Sequence, residues 1–302
     1  MAGLGVNISM EVFHKIKYLL KHLVPDLVND FKALTSEPTG STIFWINGQA
    51  KSGTSLVEHI ADIVGYVDAL RSPLRSYYKC PGYKNGAICT ELFKRLPEKR
   101  KSFLKTHAPY SETVDNIVAL PNVNLVLINR RLEDTLISRF HHVRSDPNHW
   151  QFDSLRKDDL DKVELFKRSI FEINPYTGTS SINYFSRWSH SWLTSKFADS
   201  ILWYEDYMKN PEEWITAVLK RINVSSERVK VIESILNEFR ERPRTLKSAL
   251  GTRRSIFGPL SGTFRRGLPN NYEDYFDEEV LEALEVIRKQ YTVDRLKDCQ
   301  ND

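Results

Sequence analysis

The segment INGQAKSGTSLVEHI at residues 46–60 has the form of a phosphate-binding loop between a strand and a helix. In the nucleotide triphosphatase pattern G-x-x-x-x-G-K-[ST], the lysine follows the second glycine directly and reaches the β- and γ-phosphates. Gly48 and Gly53 have the spacing of that pattern, but Thr54 follows the second glycine and the lysine is Lys51. The loop therefore keeps the glycines of an anion cradle and carries its charge at a different position.

The residues around this lysine add further groups that bind anions. Successive backbone N–H groups from Ala50 to Thr54, at the start of a helix, form a concave site in which the helix dipole favours negative charge. The side chains of Ser52, Thr54 and Ser55 add hydroxyl donors. The glycines alone would fit a ligand-free turn between a strand and a helix, whereas the lysine and the hydroxyls favour a phosphate site.

Short apolar runs alternate with helical patterns along the chain, which is typical of an α/β fold. We predict a single P-loop-like domain over residues 1–302, with a central, mostly parallel sheet flanked by helices. The predicted strands are residues 41–48, 102–107, 122–130 and 200–206, and the predicted helices are residues 54–67, about 133–143, and one that Pro211 opens. Residues 1–40 are predicted to be a helical segment, and residues 68–100, 145–181 and 240–269 to be substrate or cofactor loops.

The composition is that of a globular enzyme, with 41% hydrophobic and 27% charged residues in a chain of 302. The net charge of +4 is the balance of 43 basic and 39 acidic residues, which gives no support for nucleic-acid binding. No stretch approaches ~18 uninterrupted apolar residues, so we expect no membrane span. Cys80, Cys89 and Cys299 form no C-x-x-C pair, so we expect neither a disulfide framework nor a zinc site, and a reducing, cytoplasmic location.

Several polar residues lie at or just beyond the ends of predicted strands, where the active sites of parallel sheets form. In LKTHAP, residues 104–109, Lys105 and His107 are two apart in an extended segment, so their side chains share one face. A cation beside an imidazole keeps the imidazole neutral, which suits a general base. Each residue alone would more often be structural, but together at a strand end they predict a catalytic pair.

Two further motifs carry groups that bind phosphate. In RRLEDTLIS, residues 130–138, Arg130 ends a strand and Ser138 lies about two turns into the following helix, so both can meet on one anion. In FRRGLPNNYEDYF, residues 264–276, Arg265 and Arg266 supply guanidinium forks and Gly267 lets the backbone approach. A solvated basic turn is the alternative for the second motif.

Together with WYEDYMKNPEEWITAVLKRI at residues 203–222, these motifs resemble those of the cytosolic-type sulfotransferases that use 3′-phosphoadenosine 5′-phosphosulfate (PAPS). The motifs occur in the order of that family and at compatible spacing, from about residue 43 to about residue 276. The resemblance implies in-line transfer of a sulfuryl group to a hydroxyl, or alternatively an amine, of a small-molecule acceptor. The product of the donor would be adenosine 3′,5′-bisphosphate (PAP).

The resemblance also implies which residues bind the donor. The loop would cradle the 5′-phosphosulfate, and Lys51 would act on the bridging oxygen between phosphate and sulfur. The implied site for the 5′ end consists of Lys51, Ser52, Gly53, Thr54 and Ser55. The implied site for the 3′-phosphate consists of Arg130, Ser138, Arg265, Arg266 and Gly267. The residues that match family positions beside the adenine are Tyr204 and Phe239.

The catalytic residues that the resemblance implies are Lys51, Lys105, His107 and Ser138. His107 would accept the proton of the acceptor hydroxyl, a role typically worth ~10²–10⁴ in rate. The two lysines would stabilise the charge on the sulfuryl group and on the departing phosphate oxygen. Because a sulfuryl group carries less charge than a phosphoryl group, we expect no metal.

The sequence departs from the family pattern in three places, one of which is the absence of the usual proline after Arg130, where Arg131 and Leu132 follow. The family loop often ends in a tryptophan that helps to hold the adenine, and Leu56 stands at that position. The family dimerisation motif would overlap residues 273–282, where Glu273, Asp277 and Glu278 replace its lysine and its Thr-Val pair, so we do not expect that mode of dimerisation. The alternative functions are a P-loop kinase or nucleotide triphosphatase, and a non-catalytic nucleotide-binding module. A phenol, a steroid, a carbohydrate and a polar natural product all stay open as acceptors.

Overall fold

The computed structural model describes residues 43–64, 66–68, 93, 101–156, 160–222, 229, 232 and 272–294. These ranges contain a five-stranded sheet in the order β2-β3-β1-β4-β5, and every pairing in it is parallel. The strands are β1 (Ile43–Gly48), β2 (Val67–Asp68), β3 (Ser102–Thr106), β4 (Val123–Asn129) and β5 (Ile201–Trp203). The predicted α/β fold with a mostly parallel central sheet is thereby confirmed.

The described part of the chain contains eight α-helices, and four of them begin at a residue whose side chain caps the helix. They are α1 (Thr54–Ile63), α2 (Glu112–Val118), α3 (Leu132–Val143), α4 (Lys162–Phe171), α5 (Ser181–Leu193), α6 (Tyr204–Lys209), α7 (Pro211–Arg221) and α8 (Glu278–Gln290). The side chains of Asp161, Ser180, Asn210 and Asp277 each accept a backbone N–H at the start of α4, α5, α7 and α8. Pro211 lies in the first turn of α7, as the sequence predicted.

β1 is the middle strand of the sheet, and all six of its residues are buried. Because successive side chains of a strand point to opposite faces, this strand packs against helices on both sides. Phe44 and Ile46 lie in a cluster with Val57 of α1 on one face. Trp45 lies in a second cluster with Trp188 of α5 on the other face. The loop that leaves the carboxyl end of β1 is therefore held by a rigid, doubly covered strand.

A third apolar cluster joins α3, α4, α5 and α8 beside the sheet, and its members include Phe140, Phe166, Phe185 and Leu284. An ion pair between Arg288 of α8 and Glu133 of α3 lies at its edge. Burial raises the pKa of Tyr272, just before α8, and the carboxylate of Asp134 in α3 adds to this increase through its charge and a side-chain hydrogen bond. Residues 272–294 are therefore anchored on the helix that follows β4.

The strand predicted over residues 200–206 is wrong in its second half, because β5 ends at Trp203 and α6 begins at Tyr204. Glu205 and Asp206 lie in the first turn of this helix, where the helix dipole favours acidic side chains. The helix predicted to reach residue 67 is also too long, since α1 ends at Ile63 and the two-residue β2 follows.

The loop predicted over residues 145–181 is wrong for its middle part, which contains a short 3-10 helix at Ser154–Arg156 and the helix α4. α4 has buried apolar residues at helical spacing, including Phe166 and Ile170, within a segment that is otherwise charged. The predicted segments 1–40, 68–100 and 240–269 lie outside the described residues, apart from Asp68 and Phe93. Within the described ranges, no helix has the length and apolar composition needed to cross a bilayer.

Candidate active site

The loop after β1 turns tightly because two glycines allow close contacts. A Cβ atom on Gly48 would lie 2.8 Å from the carbonyl oxygen of Ile128 and 2.6 Å from Cγ2 of Thr54. Gly53 has a φ of 94°, and a Cβ atom there would lie 2.9 Å from Cε2 of Tyr204. Both positions therefore require glycine, and the ring of Tyr204 lies directly against the loop.

Buried side chains hold this loop from inside. The hydroxyl of Ser52 donates to the Gln49 carbonyl at 2.6 Å, and the Ser52 backbone N–H donates to the same oxygen at 3.1 Å. The Gln49 side chain donates to Ser189 of α5 and accepts from Thr135 of α3, each at 2.9 Å. The Ser52 hydroxyl was predicted from the sequence to donate to a phosphate. In the structure it donates to the Gln49 carbonyl instead and so stabilises the loop.

Lys51 has an unusual backbone conformation and a perturbed ammonium group. Its φ is 75°, in the left-handed region that costs a non-glycine residue roughly 1–2 kcal/mol. Burial, together with the charges of Lys105 and Arg130, lowers the pKa of Lys51 from 10.5 to about 8. A guanidinium nitrogen of Arg130 donates to the Lys51 carbonyl at 3.3 Å. The loop therefore concentrates positive charge that a bound anion would neutralise.

The turn at the end of β3 is fixed by buried hydrogen bonds from β1 and α5. The Asn47 side chain accepts from the Thr106 hydroxyl at 2.6 Å and from the Ala108 N–H at 2.9 Å, and it donates to the Ala108 carbonyl at 3.0 Å. Two indole N–H groups of α5 donate to the His107 and Ala108 carbonyls at 3.1 and 3.0 Å. The backbone on both sides of His107 is therefore held in one position.

The imidazole of His107 has one nitrogen fixed as a donor. Nδ1 lies 2.7 Å from the carbonyl oxygen of Gly48, and because a carbonyl only accepts, Nδ1 carries the proton and Nε2 has the lone pair. Burial lowers the pKa of His107 from 6.5 to about 4, and the charges of Lys105 and Lys51 contribute to this decrease. The imidazole is neutral at neutral pH, with Nε2 able to accept a proton, which is the state that a general base needs.

Lys105 forms an ion pair with a carboxylate of the helix that follows the loop. Its Nζ lies 2.7 Å from Oε2 of Glu58, which is in α1. The Glu58 side chain is 4% exposed and that of Lys105 is 28% exposed. Burial is the largest effect on the pKa of His107 and lowers it, and the charges of the two lysines lower it further. The charge of Glu58 has the opposite effect and raises this pKa. The site therefore combines two lysines, a neutral imidazole and a buried carboxylate.

Arg130 lies between the loop and the start of α3. Its guanidinium carbon is 4.8 Å from the centroid of the Tyr204 ring, and its Nη2 is 3.9 Å from Oδ1 of Asp134. Its Nε is buried and has no hydrogen-bond partner within the described part of the chain. A buried N–H without a partner is costly, and a phosphate oxygen would satisfy it. The predicted 3′-phosphate therefore fits this side chain.

One face of α3, the helix that follows Arg130, carries polar side chains. Asp134, Ser138 and His142 follow one another at intervals of four residues, which places them along one side of this helix, and Arg130 lies two residues before its start at Leu132. Burial, and next the charge of Lys51, lowers the pKa of His142 from 6.5 to about 4. The charge of the loop lysine thus acts on the His142 imidazole, and Ser138 lies one turn nearer to Arg130.

The structure brings five of the sequence-predicted residues together at the carboxyl ends of β1, β3, β4 and β5: Lys51, Lys105, His107, Arg130 and Tyr204. Leu56, at the position of the family tryptophan, is buried in the cluster between α1 and the sheet. Four other predicted residues lie outside the described residues, namely Phe239, Arg265, Arg266 and Gly267. Among the residues that are described, no three His, Cys, Asp or Glu side chains are grouped to hold a metal ion.

The sequence prediction missed three polar residues of the site: Asn47, Gln49 and Glu58. Each lies within or beside an apolar run, where a buried polar group needs a partner. Asn47 is in a strand whose every residue is buried, and Glu58 follows the buried Val57 in an amphipathic helix. A charged or amide side chain at a core-facing position is the signal that would have indicated them.

The fold and the site define an α/β protein with a P-loop-like anion site between a strand and a helix. A family model described as the sulfotransferase domain matches residues 41–299 of the sequence. The chain belongs to this family, and the resemblance inferred from the sequence motifs is thereby confirmed.

Among solved structures, a mouse sulfotransferase, SULT7A1, complexed with PAP is similar over 86% of this chain and 88% of that chain, with 15% identity and a TM-score of 0.52. A retinol dehydratase in complex with retinol and PAP covers 88% of this chain and 85% of its own, with 18% identity and a TM-score of 0.45. At such identities the likeness to the mouse protein shows the fold alone. A search of curated proteins found no significant match.

Proposed function

We propose that this member of the sulfotransferase family moves a sulfuryl group from PAPS to a hydroxyl group of a small molecule, with His107 as the general base. The observation that carries the proposal is the meeting of three groups at one edge of the sheet: Lys51 after β1, Lys105 in β3 and His107 after β3. The lysines supply positive charge where negative charge develops, and the imidazole supplies a proton acceptor.

The donor is proposed to lie along the ends of β1 and β4. The backbone N–H groups of Lys51, Gly53, Thr54 and Ser55 and the hydroxyls of Thr54 and Ser55 would bind the 5′-phosphosulfate at the start of α1, on the loop that Ser52 supports from inside. The unpartnered Nε of Arg130 and the hydroxyl of Ser138 would bind the 3′-phosphate. Tyr204 would lie beside the adenine, since its ring already contacts Gly53 and Arg130. The PAP complex of the mouse sulfotransferase supports this choice of donor.

The residues at the strand ends are assigned separate parts in the transfer. When bound, PAPS supplies the sulfuryl group, whose bond to the bridging phosphate oxygen breaks as the acceptor oxygen bonds to sulfur. Nε2 of His107 accepts the proton of the acceptor hydroxyl, while the Gly48 carbonyl holds the ring through Nδ1. Lys51 stabilises the charge left on the phosphate oxygen, and Lys105 stabilises the sulfuryl oxygens.

The acceptor is proposed to contact polar side chains at the end of α3. Nε2 of His142 lies 3.9 Å from Oδ2 of Asp146, and the His149 ring stacks on Trp150 with centroids 5.8 Å apart. Burial lowers the pKa of both histidines to about 4, so both imidazoles are neutral at neutral pH. A neutral imidazole donates one hydrogen bond and accepts another. Nδ1 of His149 already accepts the Gln151 N–H at 3.1 Å, so this ring offers the Nε2 donor, and the two imidazoles together suit an acceptor with several hydroxyl groups.

The donor assignment is tested by calorimetric titration with PAP, with ADP as the control, in metal-free buffer. Charge-assisted hydrogen bonds contribute ~1.5–3 kcal/mol each, so the 3′-phosphate should make PAP bind at least about tenfold more tightly than ADP. A preference for ADP, or a need for magnesium, would reject the donor and favour the kinase alternative.

The base assignment is tested with His107→Ala and His107→Gln in a sulfate-transfer assay over a panel of phenols, steroids and carbohydrates. Both variants should lose ~10²–10⁴ of the turnover and keep the affinity for PAP. His190→Ala is the matched control, because that imidazole accepts a backbone N–H from Thr292 and should be dispensable for turnover. Equal losses of turnover and PAP affinity in the His107 variants would contradict the assignment.

A further inference from the structure

We propose that Glu58 is a positioning residue of the transfer site: its carboxylate holds the Lys105 ammonium in place and compensates the positive charge that forms on His107 during turnover. This inference rests on the function proposed above and adds a residue to which the sequence motifs assigned no role. It begins from the 2.7 Å ion pair between Glu58 and Lys105.

The position of Glu58 is set by the same segment that forms the phosphate loop. α1 begins at Thr54, and Glu58 follows one turn later, so both residues lie on one side of the helix. Lys105 is paired in register with Ile46 of β1, which places it in the strand next to the loop. The helix and the strand therefore bring the carboxylate and the ammonium together beside the loop that holds Lys51.

The pair differs from an ordinary surface ion pair because its carboxylate is buried. Glu58 has 4% of its side chain exposed, and a buried charge is costly unless a partner neutralises it. A carboxylate beside an anion-binding loop would also repel the phosphates of the donor. Both costs are removed when the Lys105 ammonium lies against Glu58, so the pair is expected to function as a unit.

The second role of Glu58 concerns the imidazolium that forms when His107 accepts a proton. The hydrogen-bond partner of Nδ1 is the neutral carbonyl of Gly48, which supplies no negative charge. Lys105 and His107 are two residues apart along an extended segment, so the carboxylate that lies 2.7 Å from the Lys105 ammonium is on the same face as the imidazole. In agreement with this placement, the charges of Lys51 and Lys105 oppose a further positive charge on the ring, whereas the charge of Glu58 favours it. The carboxylate thus acts through space on the base and through an ion pair on the lysine.

A double-mutant cycle tests whether Glu58 acts through Lys105. Glu58→Gln, Lys105→Met and the double variant are compared for PAP affinity by calorimetry and for turnover by sulfate transfer. Lys105→Met should leave the Glu58 carboxylate without its lysine counter-charge beside the loop and weaken PAP binding by about tenfold or more. Adding Glu58→Gln should restore the PAP affinity to within about threefold of the unmodified protein, because the repelling charge is gone.

Turnover should follow the same coupling. Glu58→Gln should lower kcat by about tenfold or more with PAP affinity nearly unchanged, and the double variant should be no slower than Lys105→Met alone. Glu58→Asp, which keeps the charge, should recover part of the kcat and also serves if Glu58→Gln fails to fold. Glu285→Gln is the matched control, because its carboxylate pairs with Lys289 at 2.9 Å on the exposed side of α8.

The outcomes separate this inference from the proposed function. If the unmodified protein does not bind PAP, the donor assignment fails and the role of Glu58 fails with it. If the protein binds PAP but the two substitutions act additively on affinity and turnover, Glu58 is only a structural residue. A Glu58→Gln variant with unchanged kcat would overturn the proposal directly.

Discussion

The affinity of this protein for PAP is expected to fall as the pH rises from 7 to 10, because one partly buried lysine loses its charge in that interval. Burial and neighbouring cations lower the pKa of Lys51 to about 8 in the free protein. A bound phosphate neutralises the neighbouring positive charges and accepts hydrogen bonds from the Lys51 ammonium. Both effects favour the protonated lysine and raise its pKa again. Above about pH 8, the free protein must therefore take up a proton in order to bind PAP.

The size of this effect follows from the two pKa values. If binding restores the pKa of Lys51 from about 8 to its ordinary 10.5, the dissociation constant rises by about 70-fold between pH 7 and pH 10, or about 2.5 kcal/mol. The ligand contributes little to this change, because a phosphate monoester has its second pKa near about 6 and is ionised throughout the interval.

Calorimetric titrations with PAP at each pH unit, in buffers of different ionisation enthalpy, measure both the affinity and the proton uptake. Lys51→Arg is the control, since a guanidinium stays charged over the whole interval and its affinity should be flat. Lys51→Met should bind weakly and also show no dependence on pH. A parallel decrease in the unmodified protein and in Lys51→Arg would refute the role given to Lys51.

Three further outcomes are expected. Lys51→Met should raise the free energy of unfolding at pH 7 by up to ~3 kcal/mol, measured by calorimetry, because the lowered pKa means that the protonated lysine destabilises the folded state below about pH 8. Gly53→Ala should lower the melting temperature more than Gly178→Ala, since both have positive φ but only the first would place a Cβ against Tyr204; equal decreases would contradict the contact. Asn47→Ala should lower kcat without changing PAP affinity, because it frees the turn after β3, and unchanged kcat would show that this turn does not need its anchor.

The sheet could be predicted from the sequence because its main strands are apolar runs. β1 and β4 contain the runs IFWI and LVLI, and strands that are covered on both faces appear as such continuous hydrophobic segments. The short β5 was less clear, since the aromatic residues after Trp203 belong to a helix and are buried against its neighbour, as the contact between Tyr207 and Trp214 shows. Whether such a segment forms a strand or a helix depends on tertiary packing and not on local periodicity.

The site could be predicted where its residues lie close together in sequence. Lys105 and His107 are two residues apart, so the strand period alone places them on one face. The partners that orient them come from distant segments: Glu58 is 47 residues from Lys105, and Asn47 is 61 residues from Ala108. These contacts depend on the register between β1 and β3 and on the docking of α1, which no local pattern contains.

Gene variants that shorten the chain are expected to disable the site from a distance. A stop codon just before Tyr272 would remove none of the described residues of the phosphate loop, but it would uncover the apolar side of α3 and leave Glu133 without Arg288. Because α3 begins just after Arg130 and carries Ser138, a lesion late in the coding sequence would loosen the proposed 3′-phosphate site. Such an allele would behave as a null allele even though every described catalytic side chain was still translated.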